Sequence, residues 1–444
     1  MDISKLKSAI TQEGFLRYFR NTSWLVGEKI LRIFAGIVVG AMVARYLGPS
    51  KYGLFNYAIS FVGVFISLAT LGLDSIVVRE LIKLEKRKEE ILGSAFVMRF
   101  LGSFVVLTLL YLSVLLTDNT ELESTLILII GASTIFHCFN TIDFYFQSKV
   151  LSKYIVFSSI AAMLVSSIMK LFLIYFEASL VYFAIVVIFE SITLSLFLFY
   201  FYRKQGNRMK SWKFSWDVSK YLLKDSWPLI LSGVVVSMYL KIDQVMIKHM
   251  VDDYAVGIYA AAARLSETWY FIPIVITNSL FPAIVNAKKR NDGSYQLRVQ
   301  RLFDFMVIIS LAIAIPVTFL SQFLIEVLYG EDFLAAATIL IIQMWTGIFV
   351  ALGVASSAWL ISENLQKIYL LGSILGACIN IALNYIFIPT YGVIGAAFTT
   401  MFSQVVSILF LELLFKKTRG VLMMKWKSVF VVSIVSFIVK KVNK

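Results

Sequence analysis

Runs of 18 or more apolar residues recur along almost the whole chain, and a run of that length crosses a hydrocarbon core as a helix. No water reaches such a core, so a spanning segment must close its backbone hydrogen bonds within itself, which a helix does. Composition agrees. Of 444 residues 59% are hydrophobic, with a mean hydropathy of +0.83, whereas soluble domains are about half apolar even with Gly counted. The pattern specifies an all-α polytopic membrane protein. Spans are expected near 28–47, 51–72, 91–116, 123–146, 154–176, 179–202, 226–249, 254–281, 302–328, 334–360, 367–388 and 391–415.

The connecting loops orient these twelve spans. After spans 2, 4, 6 and 8 the loops carry five, two, seven and five Lys or Arg, the richest being "RKQGNRMKSWKFSWDVSKYLLKDS" at 203–226. The alternating loops "DNTELES", "FEAS", "YGEDF" and "PTYG" carry none, and only Lys51 and Lys248 interrupt the pattern. Basic loops stay on the cytoplasmic side, so both termini are expected there.

That reading also absorbs the net charge of +14: the cations gather beside anionic lipid, and no basic domain stands clear of the membrane to bind nucleic acid. Cys138 and Cys378 both fall in apolar segments and are expected to be small core residues rather than a disulfide or metal pair. Two histidines, His137 and His249, do not make a metal site of any usual type. Residues 1–23 lack the apolar core and small-residue cleavage site of a signal peptide. Ile3, Leu6 and Ile10 share one helical face there, as in an interfacial helix. The basic tail at 416–444 holds an apolar stretch at 428–439, short for a span and better suited to the interface.

The basic loop at 203–225 divides the chain into a first half at 24–202 and a second at 226–415. Ser23-Trp24 opens span 1 and Ser226-Trp227 opens span 7. "KYGLFNYA" at 51–58 aligns with "AVGIYAAA" at 255–262, placing Gly53 on Gly257. Two six-span halves share one orientation, so they are expected to be lobes related about the membrane normal, with the site in a central cavity. Pro273 in span 8 and Pro316 in span 9 are candidate hinges or static kinks, since proline removes a helix hydrogen bond and bends the rod.

Charges inside the spans carry the functional information. In "VVVSMYLKIDQVMIKHM" (234–250) Lys241 and Asp243 interrupt an otherwise apolar helix. Arg32, Arg99, Lys170 and Arg264 are also within spans, as are or nearly are Asp143, Glu190, Asp243, Glu267 and Asp304. A cation at the bilayer centre costs roughly 2.5–3.5 kcal/mol on insertion scales, so each should face protein or a wet cavity. Lys241 and Asp243 are two apart and point to different faces, whereas Arg264 and Glu267 are three apart and share one. Counting from the outer ends of spans 7 and 8 sets Lys241 and Arg264 at similar depth. One reading has both presenting positive charge to the cavity, with Asp243 and Glu267 orienting them; the other makes all four a structural ion-pair network. Arg32 is either a snorkelling anchor or a lower gate residue, and Arg99 and Lys170 are expected to be packing anchors. The polar rows His137/Asn140/Asp143 and Asn380/Asn384 suit helix-to-helix hydrogen bonding.

Walker A, H-E-x-x-H and G-x-S-x-G signatures do not occur, so a transporter rather than an enzyme is expected. The stretch "LKIDQVMIKHMVDDYAVGIYAAAARLSETWYFIPIVITNSLFPAIVNAKK" (240–289) resembles the polysaccharide or O-antigen flippase family, in the superfamily that also holds multidrug extruders and the lipid II flippase. So do "ARYLGPSKYGLFNYAISFVGVFISLATLGLDSIVVREL" (44–81), "VLYGEDFLAAATIL" and "IPTYGVIGAAFTT". The resemblance covers roughly residues 20–415. It implies translocation of an undecaprenyl-diphosphate-linked oligosaccharide across a bacterial cytoplasmic membrane by two rocking lobes around a cationic cavity. Lys241, Arg264 and Arg32 would contact the diphosphate. Coupling to H+ or Na+ through Asp243 or Glu267 is an open addition, and a polysaccharide polymerase and chain-length regulator are the implied partners. An ion-coupled multidrug extruder is the main alternative, although its pocket should be acidic or aromatic. A membrane polymerase or glycosyltransferase would show a long outer loop, and the outer loops here are short.

Overall fold

The computed structural model describes residues 13–290, 294–363 and 365–430, and the regular structure among them is helical. Most of the expected N-terminal helix, residues 1–12, and the tail segment from 431 onward lie outside the described residues. Ten stretches among the described residues are long and apolar enough to cross a membrane. Two are much longer than one crossing: Asn21–Lys83 with 63 residues and Lys367–Leu414 with 48. Each is interrupted by a glycine in a conformation closed to most side chains, Gly48 (φ 70°, ψ 168°) and Gly392 (φ 57°, ψ −138°).

The chain divides into two compact units. One holds the residues up to Leu47 together with Tyr57–Lys241; the other holds Gly48–Asn56 and the residues from Ile242 onward. The first unit contains most of α1 (Glu13–Thr70), then α2 (Asp74–Lys83), α3 (Lys88–Leu116), α4 (Glu121–Ala132), α5 (Thr141–Ser148), α6 (Ser152–Tyr175), α7 (Leu180–Lys204) and α8 (Trp216–Met250) as far as Lys241. Its core joins Leu73 and Val77 from the start of α2 to Leu92 and Ala95 of α3 and Phe146 of α5. The basic segment after α7 is docked on this core. Trp212 donates to the Tyr202 hydroxyl (2.9 Å), the Lys213 N–H to the Glu89 carbonyl (3.1 Å), and the Ser215 N–H to Ser94 Oγ (3.0 Å).

The expected span at 123–146 is not one α-helix. A capping box, with the Thr120 hydroxyl accepting from the Glu123 N–H and the Glu123 carboxylate from the Thr120 N–H, starts α4. Residues Ser133–Asn140 then tighten to a 3-10 helix before α5. Ser133 and Thr134 bond carbonyls three residues back (2.6 and 2.7 Å). Ser103 and Ser195 from neighbouring helices donate to the carbonyls of Thr134 and Phe136 (2.8 and 3.3 Å). Hydroxyls thus supply what the lost α-helical register leaves open.

The second unit adds α9 (Asp253–Thr268), α10 (Phe271–Arg290), α11 (Ser294–Tyr329), α12 (Ala336–Ser362), α13 (Gln366–Val405), α14 (Leu411–Leu414) and α15 (Arg419–Val429), with a π-helical segment at Val406–Phe410. The expected span at 254–281 is broken at Trp269–Tyr270. Trp269 is buried there against Gly347, where an added Cβ would fall 2.3 Å from the indole. Of the expected core cysteines Cys138 is buried, but Cys378 is exposed on α13 and so does not pack as a core residue. Residues 48–56 join this unit through a backbone contact that only glycine permits. A Cβ on Gly53 would lie 1.8 Å from the Asp253 carbonyl oxygen and 2.6 Å from the Gly257 nitrogen, and one on Gly257 would lie 2.0 Å from the Pro49 carbonyl oxygen. The two glycines paired by the sequence repeat therefore meet each other. Gly53→Val or Gly257→Val is expected to destabilise the protein by about 1–3 kcal/mol through overpacking, read as a lowered thermal unfolding midpoint in detergent; an unchanged midpoint would contradict this contact.

Candidate functional site

Charged residues within the spans are housed in distinct ways, beginning with the first unit. Arg99 is 2% exposed, bonds Asp74 at 3.1 Å and sits 5.0 Å from the Phe144 ring centre, as a packing anchor would. Arg32 on α1 is half-exposed and well held. Its Nε donates to Glu28 Oε1 (2.7 Å) and its Nη2 to the Ser159 hydroxyl and carbonyl, while Ser159 Oγ itself donates to Glu28 (2.9 Å). Arg32 Nη1 faces Glu190 at 3.7 Å, and Lys170 Nζ faces the other oxygen of Glu190 at 3.9 Å. Lys170, expected as an anchor, thus shares one carboxylate with Arg32.

Lys241 differs from both. It lies on α8, and its stem runs along Gly63 of α1, where an added Cβ would be 3.3 Å from its Cγ. The Ser67 and Ser237 hydroxyls bond each other nearby along the same helices (2.7 Å). Lys241 is partly buried, yet among the described residues no carboxylate pairs with it.

In the second unit Asp243 is 5% exposed and does not serve Lys241 or Arg264 as expected. Its Oδ2 accepts from the hydroxyls of Tyr259 on α9 and Thr400 on α13 (both 2.6 Å), and its Oδ1 from Asn384 Nδ2 (2.7 Å). A second layer fixes these donors. Asn384 also donates to Asn380 (3.3 Å), Thr399 donates to Asn384, and Asn380 donates to Thr400 Oγ1 (3.3 Å). This is a buried carboxylate met by neutral donors, and its hard oxygen atoms are the type that hold a proton or an alkali cation. The Asn380/Asn384 row was visible in the sequence as a polar face. Tyr259, Thr399 and Thr400 were not, and the only trace is the Thr pair closing "GAAFTT".

Arg264 on α9 is exposed, and among the described residues it has no carboxylate partner. The i, i+3 pairing expected with Glu267, also exposed, is not formed. Arg264 lies within electrostatic range of Tyr52 and Tyr329. Pro273 occupies the first turn of α10 just after the break at Trp269–Tyr270, where a missing N–H costs nothing. Pro316 is internal to α11, which stays helical through it.

A family model described as "Polysaccharide biosynthesis protein" matches residues 18–288, and one described as MatE matches 228–386. A capsular polysaccharide biosynthesis protein, CapF, from Staphylococcus aureus is 20% identical over 397 residues, 88% of this chain and 97% of that protein. A putative O-antigen transporter from Shigella dysenteriae is 23% identical over 190 residues, 43% of this chain, so the match spans 47% of that relative's length. Among solved structures, lipid II flippase MurJ in an inward closed conformation aligns with a TM-score of 0.73 at 18% identity, covering 94% of this chain and 92% of that one. An inward-facing multidrug resistance MATE family transporter aligns with a TM-score of 0.71 at 15% identity, covering 87% and 95%. At these identities the structures establish a shared fold.

The Asp243 network makes a direct prediction. Asn384→Leu removes a donor from a buried carboxylate and is expected to cost about 1–3 kcal/mol. A thermal midpoint equal to the wild type would show that the network does not hold Asp243.

Proposed function

The chain belongs to the polysaccharide biosynthesis protein family, and from that premise we propose that it moves an undecaprenyl-diphosphate-linked oligosaccharide from the cytoplasmic to the outer leaflet of a bacterial cytoplasmic membrane. One observation carries the reading: Lys241 and Arg264 are spanning-segment cations without carboxylate partners among the described residues. An uncompensated cation there costs a few kcal/mol, a burden that makes sense where an anionic substrate supplies the missing partner. A diphosphate fits, because guanidinium and ammonium donors form short charge-assisted bonds to its oxygens. The lipid tail stays in hydrocarbon while the sugars cross in water. No covalent step is needed.

The 63-residue stretch would measure about 95 Å as one straight helix, against a hydrocarbon core of about 30 Å. Counting each glycine-broken stretch as two crossings raises the ten to twelve, with both ends cytoplasmic. In this reading transport proceeds by alternating access, with the break before Pro273 and the proline at 316 as points of flexure. Asp243, with the oxygens of Asn384 and Thr400, is the proposed coupling centre for H+ or Na+. A polymerase and a chain-length regulator would consume the product.

A multidrug extruder of the same fold is the competing reading, favoured by the MatE match and by a buried carboxylate. Such a pump collects organic cations, whereas the uncompensated charges here are themselves cations.

Deleting the gene is expected to accumulate lipid-linked oligosaccharide facing the cytoplasm and to deplete surface polysaccharide; unchanged levels of both would refute the flippase reading. Lys241→Gln and Arg264→Gln are each expected to reduce transport at least about tenfold at normal membrane levels, the scale of one lost charge-assisted contact. Undiminished transport in both would make them structural residues.

A further inference from the structure

We propose that Glu190 is an exchangeable counter-anion, and that Arg32 and Lys170 together form a diphosphate subsite on the first unit which the substrate opens by displacing that carboxylate. The inference rests on the flippase reading and adds to it a second place where the diphosphate is held.

Glu190 turns one oxygen toward each cation, but the contacts of 3.7 and 3.9 Å both exceed hydrogen-bond distance. Charge-assisted bonds ordinarily close to about 2.7–2.9 Å, so the carboxylate bridges a gap about two ångströms too wide for it. A phosphoryl group is bulkier and carries oxygens on several sides, and it fills that gap while bonding both cations at once. Ion pairs elsewhere close more tightly, whether sealed or open: Lys425 and Glu412 meet at 2.7 Å with 0% and 4% exposure, and Arg87 and Glu90 at 2.6 Å with 48% and 36%. Arg32, Glu190 and Lys170 are 37%, 31% and 24% exposed, and it is the length of their contacts that sets them apart. A long contact open to solvent leaves room for exchange.

The surroundings prepare Arg32 for that exchange. Glu28 occupies its Nε and Ser159 its Nη2, so the guanidinium is fixed in direction and Nη1 is the arm left toward the carboxylate. Losing Glu190 would not release Arg32.

The two cations come from different levels of the helices: Ser159, which Arg32 bonds, is seven residues above the start of α6 at Ser152, whereas Lys170 is eighteen above it. Ser159 and Lys170 are roughly 16 Å apart along the helix at 1.5 Å per residue, yet the side chains of Arg32 and Lys170 converge on the one carboxylate of Glu190. Glu190 also returns to neutralise both once the anion leaves, which prevents a cationic site from retaining its product.

The test uses the full chain in lipid nanodiscs with a short-chain polyprenyl diphosphate as probe and the matching polyprenyl alcohol as control. Glu190→Gln removes the competing charge and is expected to tighten diphosphate-lipid binding about tenfold, while Lys170→Gln weakens it about tenfold, each the scale of one ionic contact. Alcohol binding stays unchanged in both, and inorganic pyrophosphate competes with the diphosphate lipid. Glu190→Gln should also slow turnover, since the returning anion is gone. The inference is overturned if both variants, with wild-type thermal midpoints, bind the diphosphate lipid within twofold of the wild type, or if the alcohol shifts equally. Because wild-type binding that depends on Lys241 would persist in that case, failure here is distinguishable from failure of the flippase reading.

Discussion

Hydrocarbon offers the backbone no partner, and this constraint governs the whole structure. Two departures from α-helix within the apolar stretches come with a substitute. Ser103 and Ser195 reach the carbonyls of the 3-10 segment at Ser133–Asn140. At the π-helical segment, Lys425 from α15 donates to the Ile408 carbonyl (2.8 Å) as well as to Glu412. Irregular backbone survives at these points because side chains from neighbouring helices bring donors to it.

The same scarcity of polar partners sorts the buried charges by purpose. Asp243 is closed off by hydroxyls and amides, and Arg99 and Lys425 by short contacts to single carboxylates. Each of those charges has a direct partner within the protein, although Arg99 Nε and Glu412 Oε2 are buried without one among the described residues. Glu190 contacts Arg32 and Lys170 only at 3.7 and 3.9 Å, although Arg32 is also paired with Glu28 at 2.7 Å, and Lys241 and Arg264 lack a carboxylate among the described residues. Incomplete compensation costs energy in every resting molecule, and the proposed function draws on that cost.

Small residues decide how closely the helices approach, since packing replaces the hydrophobic effect between helices already surrounded by lipid. Ala260, Ala261, Ala262 and Ala263 are all buried along α9, and the Gly53–Gly257 contact lies near the N-terminal end of the same helix. Gly63 plays a related part, leaving room for the stem of Lys241.

How much of this was legible in the sequence follows from the range of each interaction. Hydropathy and loop charge are local properties, so the apolar stretches, the basic loops and the cations at 32, 241 and 264 could be read directly. Spacing within a helix also excluded a Lys241–Asp243 pair. It suggested an Arg264–Glu267 pair that does not form, because shared helical face is permission for contact and not its cause. The partners of Asp243 come from Tyr259, Asn384 and Thr400, up to 157 residues away, and no periodicity connects them. The buried indole of Trp269, at the broken span, likewise packs on a glycine in another helix. The sequence by itself determined which segments enter the membrane and which charges they carry, because transfer into hydrocarbon acts on each segment separately. Only the tertiary structure decided which of those charges are compensated, because compensation requires two helices to bring their side chains to one place.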